Sequence, residues 1–266
     1  MNYKLLCSDL DGTLLSTKSD VSEFTISEIA RIKDKLRVIL VSARMPNAMT
    51  YLQKSLGIEN EPMICYNGAL VVHGKNEISS VTIPLTILSR IYQLASVYDI
   101  KLGLYYKNEW FVEEDSERVA KEINYTKNHP EFKSTTDTLS DWKARQISGA
   151  HKVMLMGVKD TTDSLFQDLQ NTLSDAIAIY RSNETLIEIA PKSVSKLTAI
   201  QLLLAPHETL DQVIAFGDNY NDFDMLKYAG CGVAVGNARD TVKEIANYVT
   251  AKNTDDGVAR FIKEQL

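Results

Sequence analysis

Short apolar runs alternate with amphipathic stretches in the first and last thirds of the chain. The runs are continuous rather than alternating, which is typical of strands that are covered on both faces. They lie at residues 4–8, 38–41, 63–66, 212–216 and 231–235. The stretches with apolar residues at helical spacing are clearest at 25–36, 46–56 and 193–204. This alternation predicts an α/β fold with a Rossmann-like parallel-sheet core.

Local signals indicate where some of these helices and turns begin. Thr25 and Glu28 have the spacing of a capping box, so the first helix is predicted to begin at Thr25. Pro46 suits the first turn of the next helix. Asn67 and Gly68 directly follow a predicted strand and form a strong turn signal.

The pattern changes around Pro84, where a second set of elements begins. Its predicted members are a helix at 85–98, a hairpin of 101–106 and 110–113, helices at 115–128 and 139–142, strands at 152–158 and 176–180, and a helix at 162–173. Strongly polar loops bound this set. We interpret it as a smaller α/β domain at 84–185, inserted between the core segments 1–83 and 186–266.

The composition limits the classes of function. The 266 residues are 44% hydrophobic and 24% charged, which is ordinary for a globular protein with a real core. A net charge of -6 argues against nucleic acid or an anionic membrane as the main partner. An anionic substrate stays possible, because a bound metal can invert the local field.

The cysteines and the chain start suggest a cytoplasmic protein. Cys7, Cys65 and Cys231 are far apart and adjoin apolar runs, which predicts buried free thiols in a reducing compartment. Two early aspartates interrupt any signal-peptide pattern. No apolar run approaches the ~20 residues that a membrane span needs.

Two acidic residues follow the first predicted strand. Asp9 and Asp11 lie on the same side of an extended backbone, and Gly12 then allows a sharp bend that the Thr13 hydroxyl can hold. Carboxylates ~4 Å apart repel by roughly 4 kcal/mol at an effective dielectric constant of about 20. A bound cation or a shared proton would relieve that repulsion.

Three further polar segments follow predicted strands or lie near a predicted helix start. Residues 42–44 (Ser-Ala-Arg) follow the second strand, residues 217–222 (Gly-Asp-Asn-Tyr-Asn-Asp) follow the strand at 212–216, and Lys196 lies near a helix start. In an open parallel sheet, ligands bind outside the carboxyl ends of the strands, so we expect these segments to meet there. Carboxylates, a hydroxyl beside a helix N-terminus and a lysine together suit phosphoryl chemistry.

These segments resemble, in order, the four motifs of the haloacid dehalogenase-like phosphatases. Residues 9–13 match D-x-D-G-T, residues 42–44 occupy the second motif, Lys196 the third, and residues 217–222 match G-D-x-x-N-D. The inserted domain is similar in layout to the α/β cap of the Cof-type branch. Residues 66–69 and 255–259 also resemble stretches of that branch, so the resemblance covers essentially the whole chain.

The resemblance implies a role for each matching residue. Asp9 would attack phosphorus and form an aspartyl-phosphate, and Asp11 would protonate the leaving oxygen and then activate water. Mg²⁺ would be the cofactor, held by Asp9, by the backbone carbonyl of Asp11 and by Asp218. The phosphate would be bound by Ser42, the Ala43 amide, Lys196 and Asn221, with Thr13 and Asp222 in supporting roles.

Two places depart from the family pattern. The second motif usually reads T-G-R, and Ser42-Ala43-Arg44 keeps its hydroxyl and its amide if Ala43 needs no positive φ. Glycines usually flank the lysine of the third motif, where this chain has Ser193 and Leu197. Neither departure removes a reacting group.

The same residues also have structural interpretations. Asp218 and Asp222 could cap a helix, which would contribute roughly 1 kcal/mol. Lys196 could be a solvated lysine on an amphipathic helix. Asn67 is by default a turn residue, and contact with substrate is the alternative.

The predicted function is Mg²⁺-dependent hydrolysis of a small phosphorylated metabolite. A sugar phosphate is the first expectation from the resemblance, followed by nucleotide-like and cofactor phosphates. The alternatives are a phosphomutase or phosphotransferase of the same fold, a phosphorylated receiver-like signalling module, and a non-catalytic metabolite-binding sensor. We expect no nucleic-acid or membrane partner, and either a monomer or a homodimer.

Overall fold

The chain folds into two compact units in the computed structural model, which describes residues 3–17 and 19–266. One unit, here called the core, contains the chain up to Ile78 and again from Ser195. The other, here called the insert, contains Ser79–Val194. Both units combine strands and helices, as the sequence predicted.

The boundaries differ from those that the sequence suggests, which are after residue 83 and before residue 186. The second difference has a clear cause. The sequence pattern places Leu186–Pro191 in the core, but this strand pairs with Lys152–Met156 and Ile177–Asn183 in the sheet of the insert. A short apolar run does not show which sheet it will join, because its pairing depends on distant strands.

The strands fall into a core sheet, an insert sheet and one short pair within the insert. In chain order they are β1 (Leu5–Ser8), β2 (Arg37–Val41), β3 (Met63–Cys65), β4 (Leu70–His73), β5 (Asn76–Ser80), β6 (Ile83–Pro84), β7 (Lys101–Tyr106), β8 (Glu109–Val112), β9 (Glu131–Phe132), β10 (Gly149–Ala150), β11 (Lys152–Met156), β12 (Ile177–Asn183), β13 (Leu186–Pro191), β14 (Val213–Gly217), β15 (Cys231–Ala234) and β16 (Tyr248–Val249).

The core sheet has the order β16-β15-β14-β1-β2-β3-β4-β5. Strands β16 to β3 are parallel to their neighbours, and β4 is antiparallel to β3. Every residue of β1 is buried, so both faces of this central strand are covered. Because β1 lies between β14 and β2 and all three are parallel, the residues that follow these strands meet at one edge of the sheet.

The helices pack on both sheets. In chain order they are α1 (Glu23–Ile32), α2 (Asn47–Leu56), α3 (Leu85–Val97), α4 (Glu117–Thr126), α5 (Thr135–Ala144), α6 (Lys159–Leu173), α7 (Lys196–Leu202), α8 (Phe223–Tyr228), α9 (Asp240–Ile245) and α10 (Gly257–Gln265). Over the described ranges, none of them combines the length and the apolar character that a membrane span requires.

The ends of the first two helices show which local signals were correct. The predicted start of α1 at Thr25 is wrong, because the N-cap is Ser22, whose Oγ accepts a hydrogen bond from the Thr25 amide at 3.0 Å. The α2 prediction is confirmed. That helix begins after Pro46 and ends at Leu56, and the C-cap residue Gly57 has a left-handed backbone with φ 65°.

The insert sheet has the order β12-β13-β11-β7-β8-β9. Its strands are antiparallel to their neighbours, except that β8 and β9 are parallel. Alternate side chains of β7 and β11, such as Leu104 and Val153, share one buried cluster with residues of α3, α5 and α6. The predicted hairpin is β7 and β8, and the predicted helix near 139–142 is the longer α5.

Candidate active site

Lys196 lies at the buried centre of the side chains gathered at the carboxyl edge of the core sheet. It is the first residue of α7 and is only 1% exposed. Its Nζ contacts Asp9 Oδ1 at 2.5 Å and Asp222 Oδ1 at 2.6 Å. Burial lowers the pKa of Lys196, but the two carboxylates raise it by more, so the ammonium stays charged. The interpretation of Lys196 as a solvated lysine is therefore wrong.

Asp222 uses both of its carboxylate oxygens within the protein. Oδ1 binds Lys196, and Oδ2 accepts hydrogen bonds from the amides of Asp218 at 2.9 Å and Asn219 at 3.0 Å. Gly217 permits this tight turn, because a Cβ there would lie 2.4 Å from the Cβ of Asp222. Asp222 therefore orients Lys196 and the turn that carries Asp218.

Asp218 faces the turn that follows β1. Thr13 Oγ1 donates a hydrogen bond to Asp218 Oδ1 at 3.2 Å. Gly12 has φ 85°, and a Cβ on it would lie 2.6 Å from Asp218 Oδ2. Burial, together with the charge of Asp222, raises the pKa of Asp218 to about 7 against the lowering effect of Lys196. Gly12 thus leaves space for the Asp218 carboxylate, and Thr13 donates a hydrogen bond to it.

Asp9, Asp218 and Asp222 form a carboxylate cluster, in which one oxygen of each lies within 4.8 Å of the others. Burial raises the pKa of Asp9 well above its usual value; Lys196 lowers it, and the other two carboxylates raise it. Asp9 Oδ2 has no hydrogen-bond partner in the part of the chain that the structure describes. Three carboxylates share one ammonium, so the cluster has an excess of negative charge that a divalent cation would match.

The Asp11 side chain lies outside this cluster. It is half exposed, and Arg44 binds it through Nε to Oδ2 at 2.8 Å and Nη2 to Oδ1 at 2.7 Å. Arg44 is buried; burial lowers the pKa of its guanidinium, while the bond and charge of Asp11 raise it by more. Asp9 and Asp11 therefore have different cationic partners. The sequence did not reveal the pair of Asp11 with Arg44, because motif spacing does not show where a side chain points.

Ser42 and Ala43 follow β2, next to the end of β1. Ser42 is buried, and its Oγ accepts a hydrogen bond from the Arg44 amide at 3.1 Å, which leaves the hydroxyl hydrogen for another acceptor. Ala43 does not have a positive φ, so alanine in place of the usual glycine brings no backbone strain. The Ala43 amide donates to no group within the described ranges.

Asn221 lies in a short 3₁₀ turn formed by Tyr220–Asp222. Its Nδ2 donates a hydrogen bond to Asn67 Oδ1 at 3.0 Å. The structure thus places Asn67, which the sequence marked only as a turn residue, beside a candidate phosphate ligand.

The comparisons with known proteins agree with this geometry. The family model of the haloacid dehalogenase-like hydrolases matches residues 6–262. The chain is 30% identical to 5-amino-6-(5-phospho-D-ribitylamino)uracil phosphatase YitU of Bacillus subtilis (strain 168), over 98% of this chain and 96% of that protein. It is 27% identical to pyridoxal phosphate phosphatase YbhA of Escherichia coli (strain K12), over 100% of each.

A solved structure shows the same fold over the full length. A haloacid dehalogenase-like hydrolase from Bacteroides thetaiotaomicron has a TM-score of 0.89 and 28% identity, with 99% of this chain and 100% of that chain covered. The parallel core sheet, the inserted α/β unit and the family match lead to the same assignment. The chain belongs to the haloacid dehalogenase-like hydrolases, as a phosphatase of their Cof type.

Proposed function

We propose that the protein is a Mg²⁺-dependent phosphatase that hydrolyses a small phosphorylated metabolite through an aspartyl-phosphate. The observation that carries this proposal is the environment of Asp9. Lys196 holds its Oδ1, Oδ2 has no hydrogen-bond partner within the described residues, and Asp9 is a member of the carboxylate cluster. A fixed carboxylate with a free oxygen suits nucleophilic attack, and the buried ammonium suits an incoming phosphate.

The residues present fit Mg²⁺. Asp9 and Asp218 would hold it, together with the backbone carbonyl of Asp11, whereas each oxygen of Asp222 already has a hydrogen-bonding partner. Mg²⁺ prefers oxygen ligands and keeps several waters, which agrees with a site that offers few carboxylates. When bound, it would neutralise the charge of the carboxylates and of the transferring phosphate.

The reaction consists of two displacements at phosphorus. The Asp9 carboxylate attacks phosphorus, and the ester P–O bond breaks as Asp11 gives a proton to the departing oxygen. Asp11 then takes a proton from the water that attacks the aspartyl-phosphate, which releases inorganic phosphate and restores Asp9. The two hydrogen bonds from Arg44 would hold the Asp11 carboxylate in place for both proton transfers.

The phosphate would be bound by side chains and a backbone amide that can still donate hydrogen bonds. The Ser42 hydroxyl and the Ala43 amide are the donors after β2, and Lys196 supplies the positive charge. Asn221 would add a further donor. Thr13 and Asp222 would support the site through Asp218 and Lys196, which they contact directly. We infer these roles from the contacts and from membership of the family.

We place the substrate among small sugar or polyol phosphates and cofactor phosphates. A sugar phosphate is the expectation from the sequence, and the two named relatives act, by their names, on a ribityl phosphate and on pyridoxal phosphate. The insert would select among them. A cytoplasmic location suits the three free and buried cysteines, and burial raises the pKa of Cys7 to about 12, which makes it unreactive.

A screen of phosphorylated metabolites with Mg²⁺, compared with Asp9→Asn, tests the proposal. We expect wild-type turnover that EDTA abolishes and that Asp9→Asn lowers by at least about a thousandfold. Full activity of Asp9→Asn on p-nitrophenyl phosphate would disprove the covalent mechanism. Product analysis with a hexose monophosphate separates hydrolysis, which yields inorganic phosphate, from a mutase reaction, which yields an isomeric phosphate.

A further inference from the structure

The turn after β3 has a backbone that few residues adopt. Tyr66, Asn67 and Gly68 have φ values of 52°, 55° and 100°, so two successive residues with side chains lie in the left-handed region. Asparagine tolerates this region better than most residues, whereas tyrosine does so rarely. Such conformations persist where the surroundings fix them, and they are concentrated at functional sites.

Three backbone contacts with neighbouring segments of the candidate active site fix this turn. The amides of Tyr66 and Asn67 donate hydrogen bonds to carbonyls within the 42–44 segment, at 3.2 Å and 2.9 Å. Gly68 approaches the carbonyl of Ser195, the N-cap of α7, so closely that a Cβ would lie 2.3 Å from that oxygen. The turn therefore joins the serine segment to the start of the helix that carries the buried lysine.

A fourth contact involves the side chain of Asn67, which is only 8% exposed. Its Oδ1 accepts the hydrogen bond from Nδ2 of Asn221, a residue 154 positions further along the chain. A glycine would satisfy the backbone of this turn, so the backbone alone does not account for an amide at this position. An acceptor at Asn67 fixes which end of the Asn221 amide faces it, and Nδ2 keeps a second hydrogen for another acceptor.

We propose that Asn67 is a positioning residue for phosphate binding. Its amide oxygen orients Asn221 as a hydrogen-bond donor, while its left-handed backbone holds the serine segment and the start of α7 in register. The inference rests on the proposed function, since that function assigns the phosphate to Ser42, Lys196 and Asn221. It adds a residue that does not itself touch the phosphate.

A double-mutant cycle between Asn67 and Asn221 tests the inference. Asn67→Gly removes the amide and accepts the left-handed backbone, and Asn221→Ala removes the donor. We expect each change to lower orthophosphate affinity, measured by calorimetry with Mg²⁺ present, by about tenfold, and to lower kcat/KM for p-nitrophenyl phosphate similarly. The double variant should be no worse than Asn221→Ala. Losses that multiply, or an Asn67→Gly variant within about twofold of wild type, overturn the inference.

Asn67→Asp provides the matched variant. Aspartate tolerates the left-handed region and keeps an acceptor for Asn221, although its charge changes the absolute affinity for phosphate. Asn221→Ala should therefore cost about tenfold in the Asn67→Asp background and almost nothing in the Asn67→Gly background. If Asn221→Ala lowered orthophosphate affinity equally in the wild-type, Asn67→Asp and Asn67→Gly backgrounds, Asn67 would be only a turn residue.

The two proposals fail in different ways. If the wild-type protein hydrolyses no ester, the phosphatase proposal is contradicted. If Asn67→Gly nevertheless binds orthophosphate less tightly than the wild type does, the positioning role is supported. If the wild-type protein turns over esters, and Asn67→Gly has the same affinity for orthophosphate as the wild type, only the positioning role is contradicted. Absence of both turnover and orthophosphate binding in the wild type rejects both.

Discussion

Arg44 binds Asp11 through two parallel hydrogen bonds, although Arg44 is 4% exposed and the Asp11 side chain is 50% exposed. The guanidinium is thus fixed by the protein, and it holds a carboxylate that water also reaches. Two parallel bonds fix the plane of the carboxylate as well as its distance. Asp11 therefore has a defined position before any substrate arrives, and that position depends on the shape of an arginine.

The first prediction concerns Arg44→Lys. Lysine keeps the charge but cannot form the two-point contact, so Asp11 should be held less well in its role as acid and base. We expect kcat to fall about tenfold or more for an alkyl phosphate, whose leaving oxygen needs a proton. The loss should be clearly smaller for p-nitrophenyl phosphate, whose leaving group departs readily as an anion.

Arg37→Lys is the matched control for this change. Arg37 lies at the start of β2, and its partners are Glu208 and the carbonyl of Leu203. The substitution should leave kcat for both substrates near wild type. Equal losses for alkyl and aryl phosphates in Arg44→Lys would mean that Arg44 acts on something other than proton transfer.

The second prediction concerns the buried ammonium. Lys196→Met leaves Asp9 and Asp222 without their shared cation, and removal of one partner from a buried ion pair costs about 3–5 kcal/mol. Urea denaturation should show a fall of that size in the free energy of unfolding. In the same unit, Lys243→Met removes a surface pair with Asp240 and should change this free energy by about 0–1 kcal/mol. Equal stability of the two variants would contradict the electrostatic account of Lys196.

The sequence predicted the part of the fold that local patterns control. Continuous apolar runs gave the parallel strands β1, β2, β3, β14 and β15, because strands covered on both faces need no alternation. It did not predict β4 and β5, which extend the core sheet beyond β3. Nor did it place β13 in the insert. Strand pairing depends on which distant segments come together, and a short apolar run does not identify its partner strand.

The candidate site could be predicted as a set of residues but not as a set of contacts. Parallel order brings Asp9, Ser42 and Asp218 to one edge, and the family pattern added Lys196. The hydrogen bond between Asn67 and Asn221 spans 154 positions, and no spacing rule reaches so far. Its only signal in the sequence was the turn asparagine itself, which has an ordinary local explanation.

The third prediction concerns Gly12→Ala. A Cβ at this position would lie 2.6 Å from Asp218 Oδ2, and φ 85° adds backbone strain. We expect Asp218 to be displaced, with a loss of Mg²⁺ affinity of about tenfold or more in a calorimetric titration. Gly74→Ala separates the two effects, because Gly74 also has a positive φ, but a Cβ added there would meet no atom within 4 Å. That variant should lose about 1 kcal/mol of stability and keep its Mg²⁺ affinity.

The fourth prediction distinguishes the side chain of Asp11 from the residues of the metal site. The Asp11 side chain is held by Arg44 outside the carboxylate cluster, whereas Asp218 is a member of it. Asp11→Asn should therefore keep most of the rise in Tm that Mg²⁺ produces, while kcat falls by about a hundredfold or more. Asp218→Asn should abolish the Mg²⁺-dependent rise, because it removes a charge from the cluster itself. If Asp11→Asn lost the rise as completely as Asp218→Asn, the Asp11 side chain would be a metal ligand, and the division of tasks between Asp9 and Asp11 would be wrong.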